Sequence, residues 1–277
     1  MNMKKLRSLV IGIACFYVPL LVVLFLLQRS LLFPGAGGSY MSPTELGAQI
    51  AIQEIDVPTE DGLMLKAWYM PATRRNLTMV MFHGNGDTMA TILAQAIPYV
   101  AAGYGFMLTE YRGYLGMPGK PTEAAIYADA RAYIHKLNAM GVTSKRLVLM
   151  GHSLGTGVAT RMAHEFDVDG LALSAPYTTI VAVAAQHYPF FPVNMMMLDR
   201  FENIDSIKTI HTPLLVVHGD QDRVIPVTNG EAVFAAAPEP KTLKIIPGAG
   251  HNNLLRSGMP DIVLAWLDTL PQPFITP

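Results

Sequence analysis

The chain has 277 residues, 51% of them hydrophobic and 15% charged, with 20 Lys plus Arg against 21 Asp plus Glu. This composition excludes a disordered chain and, with no basic tract or aromatic-basic stripe, an electrostatic binder of nucleic acid. A single cysteine, Cys15, excludes an intramolecular disulfide framework and a cysteine-rich metal site.

Leu9 to Leu27 carry no charge. As a helix this run reaches about 28 Å, close to the roughly 30 Å hydrocarbon core of a bilayer. Lys4, Lys5 and Arg7 precede it and only Arg29 closely follows, so the positive-inside bias keeps the N-terminus cytoplasmic and sends the remainder across. That far side is periplasmic for a bacterial inner membrane and lumenal for an endomembrane. The run is longer than the apolar region of a signal peptide, and Gln28 to Pro34 offers no small-x-small cleavage site, so an uncleaved anchor is expected. The expected organisation is an anchor over residues 1–30, a linker over 31–48 with a flexible joint at Gly35, Gly37 and Gly38, and a catalytic domain over 49–277. Without the first seven residues 17 basic and 21 acidic residues remain.

Glu54 to Val57 and Leu63 to Tyr69, separated by Thr59-Glu60-Asp61-Gly62, predict a hairpin. Leu77 to Phe82 is a short apolar run ending in His83-Gly84-Asn85-Gly86, the pattern of a strand buried on both faces that stops in a loop. A helix from about Thr88 to Ala101, a strand at Phe106 to Thr109 and a helix from Thr122 to before Gly141 follow. The rhythm continues with a strand at Leu147 to Met150, a helix from about Leu154 to His164 and strands at Leu171 to Ser174 and Leu214 to His218. A helix from about Val227 to Ala236, a strand at Leu243 to Ile246 and a helix from about Met259 to Leu270 complete it. The fold class is therefore α/β, with a mostly parallel sheet covered by helices on both faces. Residues 176–213 interrupt the alternation as a small lid, in which Phe190, Phe191, Met195, Met196 and Met197 suit either an apolar wall over a pocket or plain core packing.

Gly151-His152-Ser153-Leu154-Gly155 lies between a buried strand and a helix, the context of a nucleophile elbow. There the Ser153 hydroxyl stands above the sheet beside a helix N-terminus, and the Leu154 amide becomes an oxyanion donor. A serine needs a base, and the base an orienting carboxylate. His251, in a Gly-rich loop after the last strand, supplies the first. Asp222 is preferred over Asp220, which shares its loop and suits backbone capping. The second oxyanion donor is expected from the loop after the third strand, at the Asn85 amide, with His83 holding that loop by hydrogen bonds. His135, His164, His187 and His211 are expected at the surface or in packing. No metal site is supported, and no cofactor is implied.

These segments, with Tyr111-Arg112-Gly113-Tyr114, make the chain resemble the α/β-hydrolase superfamily, and within it the single-pass membrane-anchored α/β-hydrolase-domain proteins. The resemblance covers residues from about 50 to 270. It implies hydrolysis through an acyl-enzyme with Ser153 as nucleophile, His251 as acid-base and Asp222 as orienter, and makes Arg112 a loop brace. A membrane-tethered serine hydrolase acting on an ester or thioester of an apolar or lipid substrate is the leading expectation. A peptidase or amidase on the same triad, or an inactive tethered scaffold, are the alternatives.

Overall fold

The computed structural model describes residues 2–271; residue 1 of the expected anchor and residues 272–277 of the expected catalytic domain lie outside it. The chain opens with α1 (Met3–Leu32), a continuous helix of 30 residues. Asn2 caps it by accepting the Lys4 amide at 3.1 Å. Its apolar window, of mean hydropathy 2.9, is not buried in the protein.

The body then alternates as the apolar runs dictate. A hairpin of β1 (Gln53–Pro58) and β2 (Met64–Met70) leads to β3 (Thr78–Phe82), α2 (Leu93–Ala101), β4 (Gly105–Thr109) and α3 (Glu123–Ala139). Then come β5 (Leu147–His152), α4 (Leu154–Glu165) and β6 (Gly170–Ser174). Three helices, α5 (Ile180–His187), α6 (Val193–Met196) and α7 (Asn203–Ser206), occupy the insertion. The chain ends through β7 (Leu214–Gly219), α8 (Val227–Ala236), β8 (Lys241–Ile246) and α9 (Met259–Leu267).

The eight strands form one sheet in the order β1-β2-β4-β3-β5-β6-β7-β8. β2 runs antiparallel to both of its neighbours, and the remaining pairs are parallel. Every residue of β3, β4, β6 and β7 is buried, which requires helices on both faces and explains the unbroken apolar runs. The edge strands instead carry Glu54, Asp56 and Pro58 on one side and Lys241 and Lys244 on the other, which discourages pairing with another sheet. Because β3, β5, β7 and β8 are parallel, the loops leaving their carboxyl ends meet on one edge, the usual place for a site in an open α/β sheet.

Two expectations are corrected. The helix expected from Thr88 begins only at Leu93: the Met89 amide donates to Glu110 Oε2 at 3.0 Å and Thr88 and Thr91 exchange side-chain bonds with each other's amides, so tertiary and local partners take the donors a first helical turn would use. The joint after α1 is docked, not flexible. The Gly35 amide donates to Asn85 O at 3.1 Å and the Gly37 amide to Gly113 O at 2.6 Å, while Phe33 is buried with its ring edge-on to Phe201. A Cβ at Gly35 would stand 2.5 Å from the Tyr114 ring, so the glycine here serves close approach.

Candidate active site

Ser153 joins β5 to α4 at φ 51° and ψ −119°, a backbone region that a residue with a side chain occupies only when its surroundings enforce it. The enforcement is steric. A Cβ on Gly151 would lie 2.5 Å from Gly155 O, and one on Gly155 only 2.0 Å from Phe82 O. Strand and helix thus close on each other only with glycine at both places.

The serine hydroxyl meets His251 Nε2 at 2.9 Å, and His251 Nδ1 meets Asp222 Oδ2 at 2.7 Å. Asp222 is fixed in turn, since its Oδ1 accepts the Val224 and Ile225 amides, both at 2.8 Å. His218 Nε2 stands 3.4 Å from Oδ2. Burial opposes ionisation of this carboxyl, but the bonds from His218 and His251 outweigh it and hold it well below the usual carboxylate range. Asp220 points elsewhere and accepts the Gly248 amide at 2.7 Å. The relay therefore runs through Asp222, and Asp220 shapes the loop that presents His251.

Beside the relay, His152 hydrogen-bonds Ser174 Oγ at 3.1 Å, and its ring centroid lies 5.1 Å from that of His251. Burial, together with repulsion from a charged His251, pushes His152 down to about 4.

The loop after β3 is held from below by a pair that the sequence did not reveal. His83 Nδ1 faces the Gly84 carbonyl and Nε2 faces Glu110 Oε1, each at 2.8 Å, both fully enclosed. A carbonyl and a carboxylate both accept hydrogen bonds, so this pairing favours protons on both ring nitrogens. Burial opposes that charge, yet Glu110 overcomes it and His83 is raised above its ordinary value. Glu110 had no local signal, because its partner lies 27 residues away. Arg112 braces the next loop, with Nη2 at 2.6 Å from Asp129 and Nη1 at 2.7 Å from Asp61.

Ser153 and His251 lie in the wall of a cavity of about 740 Å³ that Gly84, Asn85, Asp87, His152 and Leu154 also line. Asn85 is pinned there, its Nδ2 donating to Leu32 O and its own carbonyl accepting from Tyr114. Most of the remaining wall is apolar and comes from the insertion and α1, with Val224, Ile225 and Asn252 from the loops after β7 and β8 completing it. The insertion contributes Val183, Tyr188, Phe191, Met196 and Met197, and α1 contributes Leu24, Phe25, Leu31 and Leu32 with Gln28. Phe191 and the two methionines thus form the expected wall, whereas Phe190 and Met195 point away and are 84% and 88% exposed. His187 is exposed, as expected, and also lines the cavity, donating from Nε2 to Val224 O at 2.9 Å. The share of the cavity owed to α1 carried no sequence signal, since it depends on how the helix docks.

A family model described as an alpha/beta hydrolase domain matches residues 75–259. An uncharacterized protein of Mycobacterium tuberculosis is 33% identical over 259 residues, covering 91% of both chains. Protein ABHD12B of Homo sapiens is 31% identical over 220 residues, 69% of this chain and 60% of that one. Among solved structures, the esterase Pf2001 of Pyrococcus furiosus superposes with a TM-score of 0.69 at 17% identity, over 85% of this chain and 98% of its own.

Proposed function

The chain belongs to the alpha/beta hydrolase domain family, and from that premise we propose a membrane-anchored serine hydrolase that cleaves an ester or thioester bond of an apolar, acyl-bearing substrate. One observation carries the reading: a continuous Ser153–His251–Asp222 chain of hydrogen bonds opening into a cavity walled largely by apolar side chains of α1 and the insertion. The Pyrococcus furiosus protein that shares the fold is an esterase, which supports the reaction class by analogy alone.

In this reading His251 Nε2 takes the Ser153 proton as Oγ attacks the acyl carbon, and Asp222 steadies the imidazolium that results. The oxyanion sits between the amides of Leu154, at the N-terminus of α4, and Asn85, in the loop braced by His83 and Glu110. His251 then returns its proton to the departing alcohol or thiol, leaving the acyl group on Ser153. Water, deprotonated by the same imidazole, attacks the acyl carbon and releases the acid and the free serine. The charge asymmetry around α1 supports an N-terminus in the cytoplasm, with this chemistry on the far side of the membrane.

The test is labelling of the full chain in detergent micelles with a fluorophosphonate, beside Ser153→Ala, followed by a panel of short-chain and long-chain nitrophenyl esters and aminoacyl amides. Labelling at Ser153 alone with turnover of the esters is expected. Turnover confined to the amides would replace the ester reading by the amidase one, and a folded chain that reacts with nothing would leave a scaffold.

A further inference from the structure

Between Asp169 and Asp199 the chain contains no Asp, Glu, Lys or Arg. The first part is β6, buried in the sheet, but the remainder is the insertion, whose tip exposes Tyr188, Phe190, Met195 and Leu198. In water that tip is a costly patch. The same insertion lies along α1. The Tyr17 hydroxyl donates to Phe190 O at 2.5 Å, and the Tyr17 and Phe191 rings stack with centroids 6.1 Å apart. Nearer the body, the Leu198 amide donates to Gln28 Oε1 at 2.8 Å. The two elements regain charge at the same level, where Arg29 Nε meets Asp199 Oδ2 at 2.8 Å.

We propose that α5 and α6 form a membrane-inserting lid, which enters the far leaflet beside α1 with Arg29 and Asp199 at its boundary and opens the cavity to the acyl chains of bilayer lipid. The proposal rests on reading α1 as a bilayer span. Tyr17 precedes Arg29 by twelve residues, so the lid tip reaches about 18 Å along the helix axis from that charge pair, well past the headgroups of one leaflet.

Backbone chemistry agrees with that placement. Polar groups in hydrocarbon must be satisfied internally, and much of the tip backbone is, while the Asn194 side chain is exposed. Pro189 and Pro192 have no amide hydrogen to satisfy. The amides of Tyr188, Phe191, Val193, Met195 and Met197 all donate within the segment, and α1 supplies Tyr17 and Gln28 for the Phe190 carbonyl and the Leu198 amide. The one histidine of the segment, His187, is exposed at the cavity, where it bonds Val224 O. Since Leu24, Phe25, Phe191 and Met196 line the cavity that contains Ser153, a chain leaving the leaflet between helix and lid meets the nucleophile without crossing water.

The experiment uses the full chain reconstituted in vesicles of phosphatidylcholine and phosphatidylglycerol. A nitrobenzoxadiazole probe is placed on native Cys15, and in a Cys15→Ser background on Phe190→Cys, Met195→Cys or, as an aqueous reference, Lys145→Cys. Probes at positions 190 and 195 are expected to emit to the blue of the reference, to lose half or more of their emission to doxyl-labelled lipid and to ignore iodide. Iodide quenching at both, with the Cys15 probe still quenched by lipid, overturns the lid insertion and leaves the anchor standing. Iodide quenching at Cys15 overturns both. None of these readings depends on hydrolysis. A Phe190→Asp, Met195→Asp double variant gives a second reading: about tenfold slower turnover of a long-chain ester embedded in the vesicles, with a short-chain soluble ester unaffected. Equal turnover of the embedded ester would overturn the proposal.

Discussion

At the scale of single residues, two carboxylates share one loop and have separate tasks. Asp222 touches His251, while Asp220 touches only a backbone amide of the neighbouring loop. Asp222→Asn is therefore expected to lower kcat by about 10³ to 10⁴-fold, as when the histidine loses its orienting charge, and Asp220→Asn by no more than a few-fold. Steady-state kinetics on a short-chain ester check the order, and its reversal would reassign the acid. His152 carries the second residue-level prediction. Its folded value of about 4 lies below the roughly 6.5 of an unfolded histidine, so between those values the unfolded chain binds more protons. Its contribution to stability is whole above about pH 6.5 and is lost as pH falls through about 4. Tm measured from neutral pH down to this range should fall more steeply for the parent than for His152→Gln, and parallel curves would show that His152 is not the group responsible.

At the scale of elements, the elbow is where local sequence and tertiary packing agree. Gly155→Ala drives a Cβ into the Phe82 carbonyl, and neither backbone can yield without parting β3 from α4. We expect a loss of about 3 kcal/mol or more by denaturant titration. Gly86→Ala, in the facing loop, meets nothing within 4 Å and should leave stability unchanged or raise it by up to about 1 kcal/mol. What was legible in the sequence divides along the same line. Strands buried on both faces, such as β3 and β7, announce themselves as apolar runs. The elbow and the two later loops carry their chemistry in residue types at strand ends, so the order Ser153, Asp222, His251 could be read without coordinates. The first turn expected from Thr88 does not form, because Glu110, distant in sequence, captures the Met89 amide. Composition cannot tell freedom from close approach at the glycines after α1, and at Gly35 Tyr114 occupies the space of the absent side chain.

At the scale of the whole molecule, the helix that spans the bilayer in our reading and the domain that does the chemistry are not separable parts. Phe33 is a plug in the body, whereas Leu24, Phe25, Leu31 and Leu32 are wall of the cavity. Two truncations distinguish these contributions. A chain beginning at Phe33 keeps the plug and the bonds from Gly35 and Tyr114 to the Asn85 carbonyl but loses the Leu32 carbonyl bonded to the Asn85 side chain, the wall and the Arg29–Asp199 tie to the lid. Its Tm should stay near that of the parent, and its kcat/KM for a short-chain ester should be retained. For a long-chain ester kcat/KM should fall by about tenfold or more, because that factor is about 1.4 kcal/mol and fewer than two methylenes returned to water account for it. A chain beginning at Ser39 also loses the buried Phe33 ring, and a cavity of that size costs about 3 to 5 kcal/mol. Its Tm should drop, and both esters should suffer once it unfolds. Equal long-chain kinetics in the parent and in the chain beginning at Phe33 would mean that α1 only tethers the domain. A selective loss would mean that the same helix that holds the enzyme to the bilayer also measures the acyl chain it receives.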